Sequence, residues 1–108
     1  MIPESTIQEA VRRIVEAFAP ERVIVFGSYP RGDADDGSDL DLLVVRPFKV
    51  GETRQDGWLR IERSLGGLEI GRDIVLLTPS EVEQSSRTIG TVAHSARREG
   101  RVVCAGAA

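Results

Sequence analysis

Gly27-Ser28-Tyr29-Pro30-Arg31-Gly32, then a turn-rich acidic stretch, then Ser38-Asp39-Leu40-Asp41-Leu42-Leu43-Val44-Val45 is the segment that decides the fold. Ahead of it, Arg22-Val23-Ile24-Val25-Phe26 is a β-branched and aromatic run that stops at Gly27, which predicts a buried strand entering a tight turn. Leu40 to Val45 predicts a second strand. The segment therefore reads strand, short helical turn, acidic loop, strand.

Working outward, Ile7, Val11, Ile14, Val15 and Phe18 recur at helical spacing, with Thr6 and Glu9 as a capping box, and predict a first helix running to about Pro20. A polar loop from Arg46 to about Thr53 leads to a helix whose Trp58, Ile61 and Leu65 share a face and which Gly66-Gly67 stops. Asp73-Ile74-Val75-Leu76-Leu77 predicts a third strand. After Thr78-Pro79, a Ser80-x-x-Glu83 capping box opens a helical stretch to about Glu99, broken near Gly90, before a short apolar end at Val102-Val103-Cys104. Helices and strands in this order predict an α/β or α+β fold, a mixed sheet of three to four strands flanked by helices.

At 108 residues, the expectation is one domain over 1–108, with room for a single core but not for a separate substrate-binding domain. A hydrophobic content of 41% and a charged content of 29% are those of an ordinary globular chain and argue against disorder. There is no apolar run of the roughly 20 residues that span a membrane, and no signal-peptide pattern, so the expected location is the cytoplasm. Cys104 is the lone cysteine, which allows no internal disulfide and reads as a small buried hydrophobe. A net charge of -3 argues against direct nucleic-acid binding through phosphate contacts.

The chemistry lies in the carboxylates. Residues two apart in a strand point to the same face, so Asp39 and Asp41 project together while Leu40, Leu42 and Val44 face the opposite layer. At about 6–7 Å, two carboxylates repel by roughly 2–3 kcal/mol at an effective dielectric near 20, a cost that a divalent cation reverses. Oxygen-only donors suit Mg²⁺ or Mn²⁺, which retain waters and take further oxygens from substrate phosphates. Asp73 heads another strand and completes the set; three carboxylates can hold two metals about 3.5–4 Å apart for an in-line displacement at phosphorus. Gly27 and Ser28 open a helical turn whose free N–H groups favour a phosphate, and Arg31, one turn later, can pair with phosphate charge. The pattern points to metal-dependent nucleotidyl transfer.

Other polar residues carry no assigned chemistry. Asp33, Asp35 and Asp36 read as solvated loop charges, His94 as a surface residue beside Arg97 and Arg98, and Trp58 as core or interface.

Gly27-Ser28, Asp39-x-Asp41 and the distal Asp73 resemble the nucleotidyltransferases of the DNA polymerase beta superfamily. The extended form Gly-Ser-x-x-Arg-Gly followed by Ser-Asp-x-Asp-Leu, in so short a chain, looks most like the minimal nucleotidyltransferases, the MNT-type antitoxins encoded beside HEPN-domain ribonuclease toxins. The resemblance spans about Ile7 to Val103. It implies ATP as substrate, two Mg²⁺ ions, and transfer of AMP to a hydroxyl, in the antitoxins a tyrosine of the partner toxin, within a hetero-oligomer. It also implies that Asp39 and Asp41 ligate both metals, that Asp73 ligates the catalytic metal and helps to activate the acceptor, and that Gly27 and Ser28 hold the triphosphate, with Arg31 matching a recurrent arginine. The alternatives are nucleotidyl transfer to a small molecule such as an aminoglycoside, whose enzymes usually carry an added helical domain, and a module that masks a toxin without catalysis.

Overall fold

A computed structural model describes the chain except residues 33, 36, 89, 90 and 106–108; the side chains of Arg31, Glu99 and Val103 to Ala105 also lie outside the described set. The elements in order are α1 (Glu4–Phe18), β1 (Arg22–Phe26), α2 (Ser28–Arg31), β2 (Leu40–Val45), α3 (Arg54–Ser64), β3 (Arg72–Leu77), α4 (Pro79–Ser85), α5 (Val92–Glu99) and β4 (Arg101–Ala105). The sheet order is β3-β2-β1-β4. β1 runs antiparallel to β2 and β4, whereas β2 and β3 are parallel and α3 supplies the crossover that parallel strands require. This is the expected mixed sheet flanked by helices.

Strict alternation along the strands feeds two cores, one on each face. Val23, Val25, Leu40, Leu42, Val44, Ile74 and Leu76 pack under α1 and α3 with Ile7, Ile14, Phe18, Ile61 and Leu65. Ile24, Phe26, Leu43 and Val45 form the smaller core with Ala96 of α5, joined by Val82 and Val92. Gly57 lets α3 approach closely, because a Cβ there would sit 2.8 Å from Leu76 Cδ2 and 3.2 Å from the Phe18 ring. At the far end of β2, the buried Arg46 lies 3.7 Å over the Phe18 ring and pairs with Glu52 at 2.7 Å.

Three local expectations are corrected. The first helix begins at Glu4, not with a Thr6–Glu9 box, because the Pro3 carbonyl accepts from the amides of Thr6 and Ile7 and frees Glu9 to pair with Arg12. That helix stops at Phe18 on a left-handed Ala19. The capping box of α4 uses Thr78 and Glu81 rather than Ser80 and Glu83, since Pro79 suits the first helical position and shifts the start by two residues. The helical stretch does break, between Ser85 and Val92, while Gly90 itself and the Cys104 side chain lie outside the described residues. Among the described residues no helix is long and apolar enough to cross a membrane.

Candidate active site

Gly27 leaves β1 with φ +78° and ψ -142°, a conformation that side-chain-bearing residues rarely adopt. It starts α2, a single turn in which Ser28 comes first and Gly32 closes the end at φ +81°. No side chain caps the start. Gly27 also makes room for a carboxylate: a Cβ here would collide with Asp41 Oδ2 and lie 3.2 Å from its Cγ.

Asp41 is opposite Phe26 in β1 and opposite Asp73 in β3. Asp41 and Asp73 lie on the face that Leu43, Val45, Val75 and Leu77 share, the face that α5 covers further along the strands. Asp39 stands one residue before β2, where Leu40 N–H donates to the Gly71 carbonyl at 2.9 Å. Gly71 does for Asp39 what Gly27 does for Asp41, since a Cβ on Gly71 would collide with Asp39 Oδ1 and lie 3.1 Å from its Cγ. The two carboxylates thus lean to opposite sides of β2, one toward the start of β3 and the other toward the end of β1. Asp39 and Asp73 are exposed and Asp41 is half-buried.

Among the described residues no three of His, Cys, Asp and Glu are gathered closely enough to hold a metal ion unaided. The donor set still fits a hard cation. Mg²⁺ takes one or two protein carboxylates and completes its shell with waters and substrate phosphates, which this open, all-oxygen arrangement beside the Gly27 turn allows. A cavity of about 270 Å³, lined by Ile24, Leu43, Val82, Ala93 and Ala96 among others, is instead between α4–α5 and the sheet. The three carboxylates lie outside it, and Asp39 borders an open pocket of about 300 Å³ with Ile2, Pro3, Ile70 and Gly71.

Two positioning residues escaped the sequence reading. Tyr29 accepts a hydrogen bond from the Ile2 amide at 2.9 Å and donates to the Ser38 carbonyl at 3.3 Å, tying the Gly27–Ser28 turn to the residue before Asp39. Its place inside the Gly-Ser-x-x-Arg-Gly run was the available signal. Arg72 donates to Glu62 at 2.8 Å and to the Leu68 and Ile70 carbonyls at 3.1 and 3.3 Å, fixing the loop that ends at Gly71 against Asp39. The Arg31 backbone closes α2; its side chain is outside the described set. Asp35 accepts from the Gly37 amide at 2.9 Å and so organises the acidic loop.

The family model described as nucleotidyltransferase domain matches residues 5–98. A solved protein of Sulfolobus solfataricus assigned to the nucleotidyltransferases is 29% identical, with a TM-score of 0.58 over 74% of this chain and 70% of that one. A chain from a toxin–antitoxin structure with AMP-PNP is 17% identical, with a TM-score of 0.61 over 93% of this chain and 74% of that one, a likeness of fold. No curated protein matches. With the match covering nearly the whole chain and the Gly27 turn beside Asp41 and Asp73 on one sheet face, the chain belongs to the nucleotidyltransferase-domain family.

Proposed function

We propose that this nucleotidyltransferase transfers AMP from ATP to a hydroxyl, most specifically to a tyrosine of a HEPN-family toxin, and acts in the cytoplasm as the antitoxin of a hetero-oligomeric pair. The observation that carries the transfer reading is the register Asp41↔Asp73 with Gly27 packed beside Asp41. The toxin reading is supported by the shared fold with a chain of a toxin–antitoxin structure that holds AMP-PNP.

Each residue has a task in this reading. The amides at the start of α2 and the Ser28 hydroxyl hold the triphosphate, and Gly27 lets its oxygens approach the backbone. Asp39 and Asp41 would hold two Mg²⁺ ions, with Mn²⁺ as a substitute, and Asp73 would add a third carboxylate to the set. When bound, the ions neutralise phosphate charge and polarise the α-phosphoryl group. The acceptor oxygen attacks the α-phosphorus, the bond to the bridging oxygen of the β-phosphate breaks, pyrophosphate leaves, and the hydroxyl proton passes to Asp73. Arg31 pairs with phosphate charge.

Calorimetric titration with ATP, with and without Mg²⁺, tests the binding half of the proposal. Saturable binding that needs the cation is expected, and equal binding without it would remove the role given to the carboxylates.

A further inference from the structure

The sheet ends at β3, the strand that carries Asp73, and this edge is half closed. Gly71 and Leu77 carbonyls accept from the Leu40 and Arg46 amides of the β2 side. By strand alternation the peptide groups of Asp73 and Val75 turn inward as well, and those of Arg72, Ile74 and Leu76 turn outward. The outward Leu76 carbonyl is taken: Arg54 Nη1 donates to it at 2.6 Å, and Glu81 holds the same guanidinium at 2.6 and 3.1 Å. Among the described hydrogen bonds none uses the outward amide and carbonyl of Ile74. A groove of about 710 Å³ runs along this stretch, walled by Trp58 and Gln55 of α3 and by Ile74, Val75 and Leu76. Trp58 is 37% exposed, whereas Ala93 and Ala96 are buried and Val82 and Val92 pack against the chain's own sheet.

We propose that the acceptor arrives as an extended polypeptide segment that adds to β3 at Ile74. This rests on the nucleotidyl-transfer reading and names how its acceptor is recognised. A segment paired with the Ile74 amide and carbonyl lies about 4.8 Å from β3, so its residue abreast of Asp73 emerges on the face of Asp73 and Asp41 and presents a hydroxyl there. Its neighbours in sequence point to the opposite face, where Trp58 receives an apolar side chain. The Arg54–Glu81 plug ends the pairing at Leu76, which fixes the register and blocks open-ended strand addition. The interior of a helix has its backbone groups already paired, so an amide and carbonyl offered together at Ile74 select an extended segment.

The test uses short blocked peptides with a central tyrosine between alternating valine and threonine, and the same peptides N-methylated on alternate amides. Hydrogen exchange at the Ile74 amide and Trp58 fluorescence are followed, and ATP–Mg²⁺ binding is measured separately. The expected result is about tenfold or greater slowing of Ile74 exchange on saturation, lost when the amides that face β3 are methylated and kept when the others are. Trp58→Ala should weaken the peptide and leave ATP binding unchanged. Binding that leaves Ile74 exchange unaltered, or no binding at millimolar peptide, overturns the edge proposal while retained ATP–Mg²⁺ binding keeps the transfer reading intact. Loss of ATP–Mg²⁺ binding in the wild type overturns both.

Discussion

Asp41 and Asp73 are direct partners across the parallel β2–β3 pair, on the same face of the sheet and about one strand spacing apart. Like charges at such a distance repel, and in the proposed reading a cation bound with the nucleotide would offset that repulsion.

Removing one of them should therefore separate function from stability. Asp41→Asn is expected to lower nucleotide transfer by roughly two orders of magnitude or more, since in the proposed reading it removes a shared ligand. Thermal melts should keep their cooperativity. Undiminished transfer by this variant contradicts the two-metal reading.

Asp73→Asn should behave differently. Transfer is expected to fall much further than ATP affinity, because in the proposed reading Asp39, Asp41 and the phosphate oxygens would still hold the nucleotide-bound ion. In metal-free buffer its melting temperature should equal or exceed that of the wild type as repulsion with Asp41 is relieved. Calorimetry with ATP and Mg²⁺ beside a transfer assay makes the comparison; equal loss of both quantities contradicts the division of labour.

Gly27→Ala tests the turn. The substitution puts a side chain at φ +78° and into the Asp41 carboxylate, at a conformational cost of order 1–3 kcal/mol. Weaker ATP binding and a lower melting temperature are expected together. A variant that binds ATP as tightly as the wild type would show that Gly27 does not shape the site.

The Arg46–Glu52 pair gives a pH dependence away from the site. Burial pushes the Glu52 carboxyl up, but the Lys49 amide and the Arg46 guanidinium outweigh it and hold the carboxyl below its ordinary value. A depressed carboxyl contributes stability that is present above its unfolded pKa and lost as pH falls through the lower folded value. Glu52→Gln should thus cost about 3 kcal/mol at pH 7, where Arg46 is left buried without its partner, and much less below the carboxylate range. Urea unfolding at both pH values measures the difference; an equal loss at both contradicts the ion-pair account.

Much of this was legible in the sequence because it depends on short-range pattern. The apolar runs of β1, β2 and β3 have the lengths and residue types of buried strands, and the Gly27 turn, Asp41 and Asp73 meet at one end of the sheet because those strands pair in this register. What escaped depends on contacts between distant residues. Nothing near Arg72 announces that it holds the loop before Gly71, because its partners, Glu62 and the Leu68 and Ile70 carbonyls, come together only when α3 folds onto the sheet. The lean of Asp39 and Asp41 to opposite sides of β2 was hidden for the same reason: it is set by the glycines of the flanking elements. The Thr78–Glu81 box was misplaced because two overlapping capping patterns compete locally, and Pro79 decides between them.

The most direct test of the central claim is co-expression of this chain with the protein of its adjacent gene, and intact-mass spectrometry of that protein after incubation with ATP and Mg²⁺. The account predicts one or more AMP units on a partner tyrosine with the wild type and none with Asp41→Asn. An unmodified partner despite bound ATP, or equal modification by Asp41→Asn, would contradict it.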